Sequence, residues 1–248
     1  MKKIIKIVLI GVGSLIALLL LIGGVVFYKL KSETKKMYPV ETGKIVDNIY
    51  AIKDEFVNMY VVEDINQYVV IDAGKNIDVI AAEFKKLNID PDKVVAVLLT
   101  HTDMDHVSGI PLFKNAKVYL SKQEVMMLTG EKQKIPGMSN SISRKDFILL
   151  EDKQNLKIGN ENSFCILTEG HTSGSMCYQV NDKYLFTGDI LSLVDGKLGP
   201  SVKFFDMDHE MATKSISKIT KLPNVAYIFT AHFGYTNNYK NAVKDWKE

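Results

Sequence analysis

Four of the five histidines in this 248-residue chain stand at or just beyond the ends of apolar, strand-like runs. They are His101, His106, His171 and His232, and two aspartates, Asp72 and Asp189, follow the runs YVVI and KYLFTG in the same way. Side chains at strand ends are held in place by a rigid scaffold, and site residues concentrate there. We therefore predict one site assembled from several strand ends.

The segment HTDMDH, residues 101–106, is the densest of these motifs. In extended chain, alternate residues point the same way, so His101 and Asp103 are placed to bind one ion. Asp105 and His106 follow where the chain turns and would reach a second ion. Imidazole and carboxylate ligands without thiolate suit zinc, iron or manganese. A solvated polar loop is the alternative, but GHT, TGD and AHFG at later strand ends argue against it.

A mixed series of strands and helices must position these side chains. The pattern predicts strands over 44–52, 56–63, 67–71, 94–100, 117–120, 163–168, 176–180, 183–187 and 225–230, and helices over 76–87, 209–222 and 238–247. A further helical stretch is expected from Ser121. This order predicts a layered α/β or α+β fold. The polar residues 130–146 predict a long loop, which is often functional.

With these elements, the spaced motifs resemble the metallo-β-lactamase-fold superfamily of metallohydrolases over roughly residues 44–240. The ligand series of that family is His-x-His-x-Asp-His, then a later His, a bridging Asp and a last His. The matching positions here are His101, Asp103, Asp105, His106, His171, Asp189 and His232. The resemblance implies a four-layer αββα sandwich with metal ions at one edge of its two sheets. Asp72, in IDAG, resembles the family's aspartate beneath the metal loop.

The resemblance also divides the ligands between two divalent ions, with zinc expected first and iron or manganese as alternatives. The first ion would take His101, Asp103 and His171, the second Asp105, His106 and His232, and Asp189 would bridge them. Asp105 is also the candidate catalytic residue for passing a proton. Asp103 departs from the family pattern, which has histidine there. This form is similar to that of DNA-uptake channel proteins, and resembles flavodiiron proteins, which have glutamate at that position.

The implied function is a hydrolase in which a metal-bound hydroxide attacks an ester, a lactone, a thioester or a similar carbonyl substrate. Three alternatives stay open: a phosphodiesterase or nuclease, a diiron redox protein, and a non-catalytic metal-binding domain. The first 36 residues hold seven lysines and one glutamate, so the remainder carries a net charge of −4. That balance argues against a nucleic-acid partner and favours a small-molecule substrate.

Residues 7–28 contain no charge and are long enough to cross a membrane as a helix. A cleaved signal peptide is the competing interpretation, but the residues FYKL that follow make a poor cleavage site. We expect residues 1–36 to form a single-pass anchor in the cell membrane and residues 37–248 to form the metallo-β-lactamase-like domain. A short basic N-terminus favours placement of that domain outside the cytoplasm.

For four other residues we expect a structural role and no chemical one. Cys165 and Cys177 are expected to be buried thiols, with a disulfide as the alternative. Tyr235 is expected to pack rather than to bind an oxyanion. His209 has no partner motif and is expected at the surface.

Overall fold

The computed structural model of the protein describes residues 2–247. The chain divides between Met37 and Tyr38 into two compact units, each described by itself. The first unit is built on helix α1 (Lys2–Thr34). Its segment Lys3–Thr34 is long and apolar enough to cross a membrane, and none of its most apolar stretch is buried. A signal sequence has the same properties.

The second unit contains the remaining elements. Its strands are β1 (Gly43–Val46), β2 (Ile49–Asp54), β3 (Val57–Asp64), β4 (Gln67–Ile71), β5 (Val94–Leu98), β6 (Lys117–Ser121), β7 (Phe147–Leu150), β8 (Asn155–Ile158), β9 (Glu161–Leu167), β10 (Met176–Val180), β11 (Tyr184–Phe186), β12 (Leu191–Val194), β13 (Lys197–Pro200), β14 (Tyr227–Phe229) and β15 (Tyr235–Thr236). Its helices are α2 (Ile77–Lys86), α3 (Met104–Val107), α4 (Val125–Thr129), α5 (His209–Ile219) and α6 (Tyr239–Val243). Single 3-10 turns cover Pro91–Lys93, Ile110–Leu112, Lys122–Glu124 and Lys203–Phe205.

Two sheets carry the fold. The first has strand order β1 to β7, antiparallel from β1 to β4 and parallel from β4 to β7. The second has order β15-β14-β11-β10-β9-β8, in which the β11–β14 pair is parallel. Strands β12 and β13 form a separate hairpin.

The buried side chains show that the two sheets face each other with helices outside them. Between the sheets, Tyr60 of β3 packs against Phe186 of β11 and Phe229 of β14. Helix α2 covers the outer face of the first sheet with its buried Ile80 and Phe84, and helix α5 covers the outer face of the second. The four-layer αββα sandwich is therefore confirmed.

The strand directions explain why the motifs meet. Parallel neighbours end at the same edge of a sheet, so the parallel pair β4 and β5 brings Asp72 beside the segment that begins at His101. The parallel pair β11 and β14 does the same for Asp189 and His232.

Several local predictions need correction. The single strand expected over 44–52 is two strands, β1 and β2, because Asp47 turns the chain with a positive φ of 44°. Strands β7, β8, β12, β13 and β15 were not predicted, and the last helix is shorter than 238–247. No helix or strand lies between α4 and β7, in agreement with the predicted loop.

Cys165 and Cys177 are both free, buried thiols. They lie on neighbouring strands, but Cys165 belongs to the core between the sheets and Cys177 to the core under α5. The simpler interpretation therefore holds. Burial raises the pKa of each thiol to about 12, so neither is poised to react at neutral pH.

Candidate metal centre

The seven side chains that the sequence singled out as ligands converge at one edge of the sandwich. Three groups of them bring their ligand atoms within 4.8 Å of one another, close enough to hold an ion. These groups are His101, Asp103 and His171; His101, His106 and Asp189; and Asp105, His106 and His232. The first and third groups have the membership that the sequence assigned to the first and second ions.

Asp189 lies at the centre of the cluster and contacts all four histidines through their Nε2 atoms. Its Oδ2 lies 3.1 Å from His232, 3.5 Å from His171 and 3.9 Å from His101. Its Oδ1 lies 3.3 Å from His106. A carboxylate so placed can bridge two cations. Gly188, before it, has a φ of +54°, and a Cβ there would lie 2.5 Å from Thr100 Oγ1, so the close turn requires glycine.

Each histidine is oriented by an oxygen atom at its other ring nitrogen, Nδ1. The pairs are His101 with Thr100 Oγ1 at 3.0 Å, His106 with Asp72 Oδ2 at 2.9 Å, His171 with Asp206 Oδ1 at 3.0 Å and His232 with the Phe56 carbonyl at 2.8 Å. Carboxylate and carbonyl oxygens only accept hydrogen bonds, and the Thr100 hydroxyl already donates its proton to Asp72 Oδ2, so the ring proton of each histidine belongs on Nδ1. Each Nε2 then presents its lone pair to the cluster, as a metal-binding histidine does.

Three atoms of the cluster are buried without a hydrogen-bond partner: His101 Nε2, His106 Nε2 and Asp189 Oδ1. An unpaired buried polar atom costs about 1–3 kcal/mol. Divalent cations held in this cluster would give all three atoms a partner. The donor set therefore fits a metal ion, and its imidazoles and carboxylates suit zinc.

Electrostatics favour the metal-binding form of His101 and of two carboxylates. Burial lowers the pKa of His106, His171 and His232, but the neighbouring carboxylates outweigh it and raise all three, so a cation would displace a proton from these rings. Burial, with the neighbouring His106 ring, lowers the pKa of His101 to about 4, so His101 is neutral at pH 7. Burial alone would raise the pKa of Asp103, but the Lys134 ammonium and His101 hold it well below its usual range. Burial would also raise the pKa of Asp189, but the neighbouring imidazoles of His232 and His106 outweigh this effect and hold that pKa well below its usual value. The two carboxylates are therefore ionised.

Asp72, predicted from the IDAG motif, lies directly beneath the HTDMDH segment. Besides His106, it accepts hydrogen bonds from the backbone N–H of Thr100 at 2.7 Å and from its hydroxyl at 2.8 Å. Its φ of +61° belongs to the left-handed region, which aspartate tolerates better than most residues. This buried carboxylate orients His106 and fixes the chain immediately before His101.

Glu124 is a buried residue that the sequence analysis did not single out. Its Oε1 accepts hydrogen bonds from the N–H and hydroxyl of Thr102, both at 2.7 Å. Its Oε2 accepts from the Thr172 hydroxyl at 2.6 Å and from Gly174 N–H at 3.1 Å. One carboxylate thus joins the segment containing His101 and Asp103 to the segment containing His171. No motif marks it, because its partners lie far away in the chain.

Asp206 is a second residue that the sequence did not reveal. Its carboxylate contacts His171 through one oxygen and both His209 Nδ1 and the Ser201 hydroxyl through the other, each at 2.6 Å. His209 is therefore partly buried and has a partner, which corrects its assignment as a surface histidine. Tyr235 stacks on Phe229 with ring centroids 5.7 Å apart, so it packs as expected.

The loop over residues 130–146 reaches the cluster through two side chains. Lys134 Nζ contacts Asp103 Oδ2 and lies 2.8 Å from His171 Nε2. Asn140 Nδ2 donates hydrogen bonds to Asp103 Oδ1 at 3.0 Å and to Thr102 Oγ1 at 3.1 Å. This loop thus meets two of the predicted ligands, Asp103 and His171.

Histidine and aspartate side chains gathered at one edge of a two-sheet sandwich define a metal-binding α/β protein. Residues 52–232 match the family model of the metallo-beta-lactamase superfamily. This match covers more than half of the chain, and the protein belongs to that superfamily.

Several known proteins are similar to this chain over part of its length. A Bacillus subtilis (strain 168) protein named "Probable polyketide biosynthesis zinc-dependent hydrolase PksB" is 35% identical over 52% of this chain and 53% of its own length. Hydroxyacylglutathione hydrolase of Aliivibrio salmonicida (strain LFI1238) is 27% identical over 76% of this chain and 65% of its own. The match thus spans about half to two thirds of these relatives. The structure of BJP-1, a subclass B3 metallo-beta-lactamase of Bradyrhizobium japonicum, has a TM-score of 0.61 at 17% identity, with 79% of each chain covered, and is similar in fold.

Proposed function

We propose that the protein is a metal-dependent hydrolase that cleaves an ester, a lactone, a thioester or a similar carbonyl substrate. The observation that carries this proposal is the set of unpaired buried atoms on His101, His106 and Asp189 at the centre of the cluster. The names of two relatives support it, since one is a zinc-dependent hydrolase and the other cleaves a hydroxyacyl thioester.

Two ions are proposed, each with three terminal ligands. His101, Asp103 and His171 would hold the first, Asp105, His106 and His232 the second, and Asp189 would bridge them. Bound divalent cations lower the pKa of water and polarise a carbonyl group. The oriented Nε2 atoms and ionised carboxylates described above support this division.

The protein's own residues supply the orientation and a path for protons. Thr100, Asp72, Asp206 and the Phe56 carbonyl hold the four rings in place, so little reorganisation is needed when a substrate binds. Asp105 Oδ2 lies 3.6 Å from His232 Nε2, and its side chain is 21% exposed. That partial exposure supports the proposal that Asp105 passes a proton between the cluster and solvent.

A metal and substrate panel tests the proposal. The full chain is purified without added metal, its metal content is measured by mass spectrometry, and ester, lactone, thioester and phosphodiester substrates are supplied. We expect hydrolysis of a carbonyl substrate that a chelator abolishes and zinc restores. Asp189→Asn should lose activity and metal, whereas Asp182→Asn, at an exposed turn, should keep both. Cleavage of the phosphodiester alone would favour the nuclease alternative, and metal without any hydrolysis would favour a binding or redox role.

A further inference from the structure

A cavity of about 640 Å³ lies beside the candidate metal centre. One wall is the segment that carries the ligands, from Thr102 to Ser108, and the other is the loop from Lys134 to Ser143. Asp103 belongs both to this lining and to the first group of ligands. The cavity therefore adjoins the proposed site at Asp103, the one predicted ligand in its lining, and its volume suits a small organic ligand.

The lining presents large apolar side chains to solvent. Met104 is 67% exposed, Ile135 57% and Met138 62%. Single exposed apolar residues are ordinary, but three around one cavity form the kind of patch that marks a binding site for an apolar group. Methionine also adapts its shape to different partners.

The loop that carries Ile135 and Met138 is held in place by its own contacts. Met138 N–H donates to the Ile135 carbonyl, and Gly137 N–H donates to Gln133 Oε1. Asn140 N–H donates to the carbonyl of Met127 in α4, while its side chain binds Asp103. The apolar wall is thus fixed at a set position beside the ligands before any substrate arrives.

We propose that this cavity binds the apolar acyl group of the substrate, which makes the substrate class esters or thioesters of fatty, alkyl-chain acids. The proposal rests on the proposed function, because it places the substrate carbonyl at the metal centre. Because the cavity adjoins the cluster at Asp103, one molecule could place its carbonyl at the metal centre and its acyl group in the cavity. The serine side chains 139, 141 and 143 complete a lining that is partly polar, as in most ligand sites.

Acyl-chain selectivity is the first test. The full chain in lipid nanodiscs is given acetyl, butanoyl, hexanoyl and octanoyl thioesters of one thiol. We expect kcat/KM to rise with chain length, by up to about fourfold for each CH₂ that is fully buried. Ile135→Ser should lower the ratio of octanoyl to acetyl kcat/KM several-fold. Ile65→Ser is the matched control, because Ile65 is 76% exposed in the β3–β4 turn, away from the cavity.

Binding of a non-hydrolysable ketone analogue separates this proposal from the proposed function. The analogue carries CH₂ in place of the thioester sulfur, and its affinity is measured by calorimetry on the same three proteins. The ketones also partition into the nanodisc lipid, but they do so equally with both variants. This contribution therefore cancels when the affinities of the two variants are compared. One outcome is that no substrate is hydrolysed, but the octanoyl ketone binds more tightly than the acetyl ketone and Ile135→Ser abolishes that difference. The acyl site would then stand, and the proposed hydrolase function would fail.

The opposite result is equally distinct. Hydrolysis with no dependence on acyl length, or with the same length dependence in Ile135→Ser and Ile65→Ser, would overturn the acyl site and leave the hydrolase proposal intact. If kcat/KM instead rises only when the thiol part of the substrate is lengthened, the cavity binds the leaving group. That result would also overturn the acyl site.

Discussion

His171 and His232 belong to different groups of ligands and allow the proposed ions to be separated. His171 groups with His101 and Asp103, and His232 groups with Asp105 and His106. We therefore expect His171→Ala to lose mainly the first ion and His232→Ala mainly the second, each lowering metal content by about one ion per chain. Mass spectrometry of the purified variants measures this. Wild-type content in both variants would show the assignment to be wrong.

Asp103 would give the proposed first site a harder, negative ligand at the position where the family pattern has an imidazole. Carboxylate favours iron or manganese relative to an imidazole site, although zinc binds well when it is plentiful. Asp103→His should therefore raise zinc occupancy at the first site, and Asp103→Ala should lose that ion. The measurement is metal content after competition among equal zinc, iron and manganese. Identical distributions in wild type and Asp103→His would mean that the carboxylate has no selective role.

Lys134 contacts the same two side chains, Asp103 and His171, that the first ion would use. A nearby ammonium group repels a divalent cation, and the ion must displace it from both partners. We expect Lys134→Met to tighten binding of the first ion roughly tenfold, measured by chelator competition. Lys132→Met, on an exposed position of the same loop, is the control and should leave the affinity unchanged. Weaker binding in Lys134→Met would instead make the lysine a supporting part of the site.

Among the elements, Glu124 joins two loops whose threonines, Thr102 and Thr172, lie 70 residues apart in the sequence. Its four hydrogen-bond donors come from Thr102, Thr172 and Gly174. Glu124→Gln would set an amide N–H against one backbone N–H donor, that of Thr102 or of Gly174, while the threonine hydroxyl on the same side can turn to accept. We expect it to lower the free energy of unfolding by about 1–3 kcal/mol in urea titration.

The same variant should weaken the first ion more than the second, because Thr102 and Thr172 flank ligands of the first ion alone. Glu151→Gln, at an exposed position, controls for the loss of charge. Asp72→Asn is the complementary variant and should weaken the second ion, since Asp72 orients His106. Equal effects of Glu124→Gln on both ions would show that Glu124 acts on the fold as a whole.

Local sequence patterns predicted the elements with strong periodicity and the residues at their ends. The apolar run before His101 is buried on both faces of β5, which makes its pattern continuous and easy to recognise. Strands β12 and β13 escaped prediction because they form a short hairpin outside the main sheets. Glu124 and Asp206 escaped because an acidic residue in sequence carries no sign of burial, and only tertiary packing gives these two their partners.

The whole molecule combines a domain with its own cores and an N-terminal helix of different character. The segment Lys3–Thr34 has a mean hydropathy of 2.8 over its most apolar window, and its side chains such as Leu20 and Tyr28 are largely exposed. Exposed apolar surface of this extent is unfavourable in water and favourable in lipid. An anchor and a signal sequence both satisfy these facts, and they differ in whether the helix persists in the mature protein.

We expect the mature chain to keep this helix and to remain in the membrane fraction after washes with high salt and alkaline buffer, because residues 27–30 offer no small-residue cleavage site. Removal of residues 1–36 should release a soluble domain, since the three hydrophobic cores of the sandwich, within residues 2–247, are built from Val40 onward. Fractionation followed by N-terminal sequencing measures the first expectation, and circular dichroism with metal analysis of the truncated chain measures the second. A mature N-terminus near residue 30 would identify a signal sequence, and the domain would then reach its substrate free of the membrane.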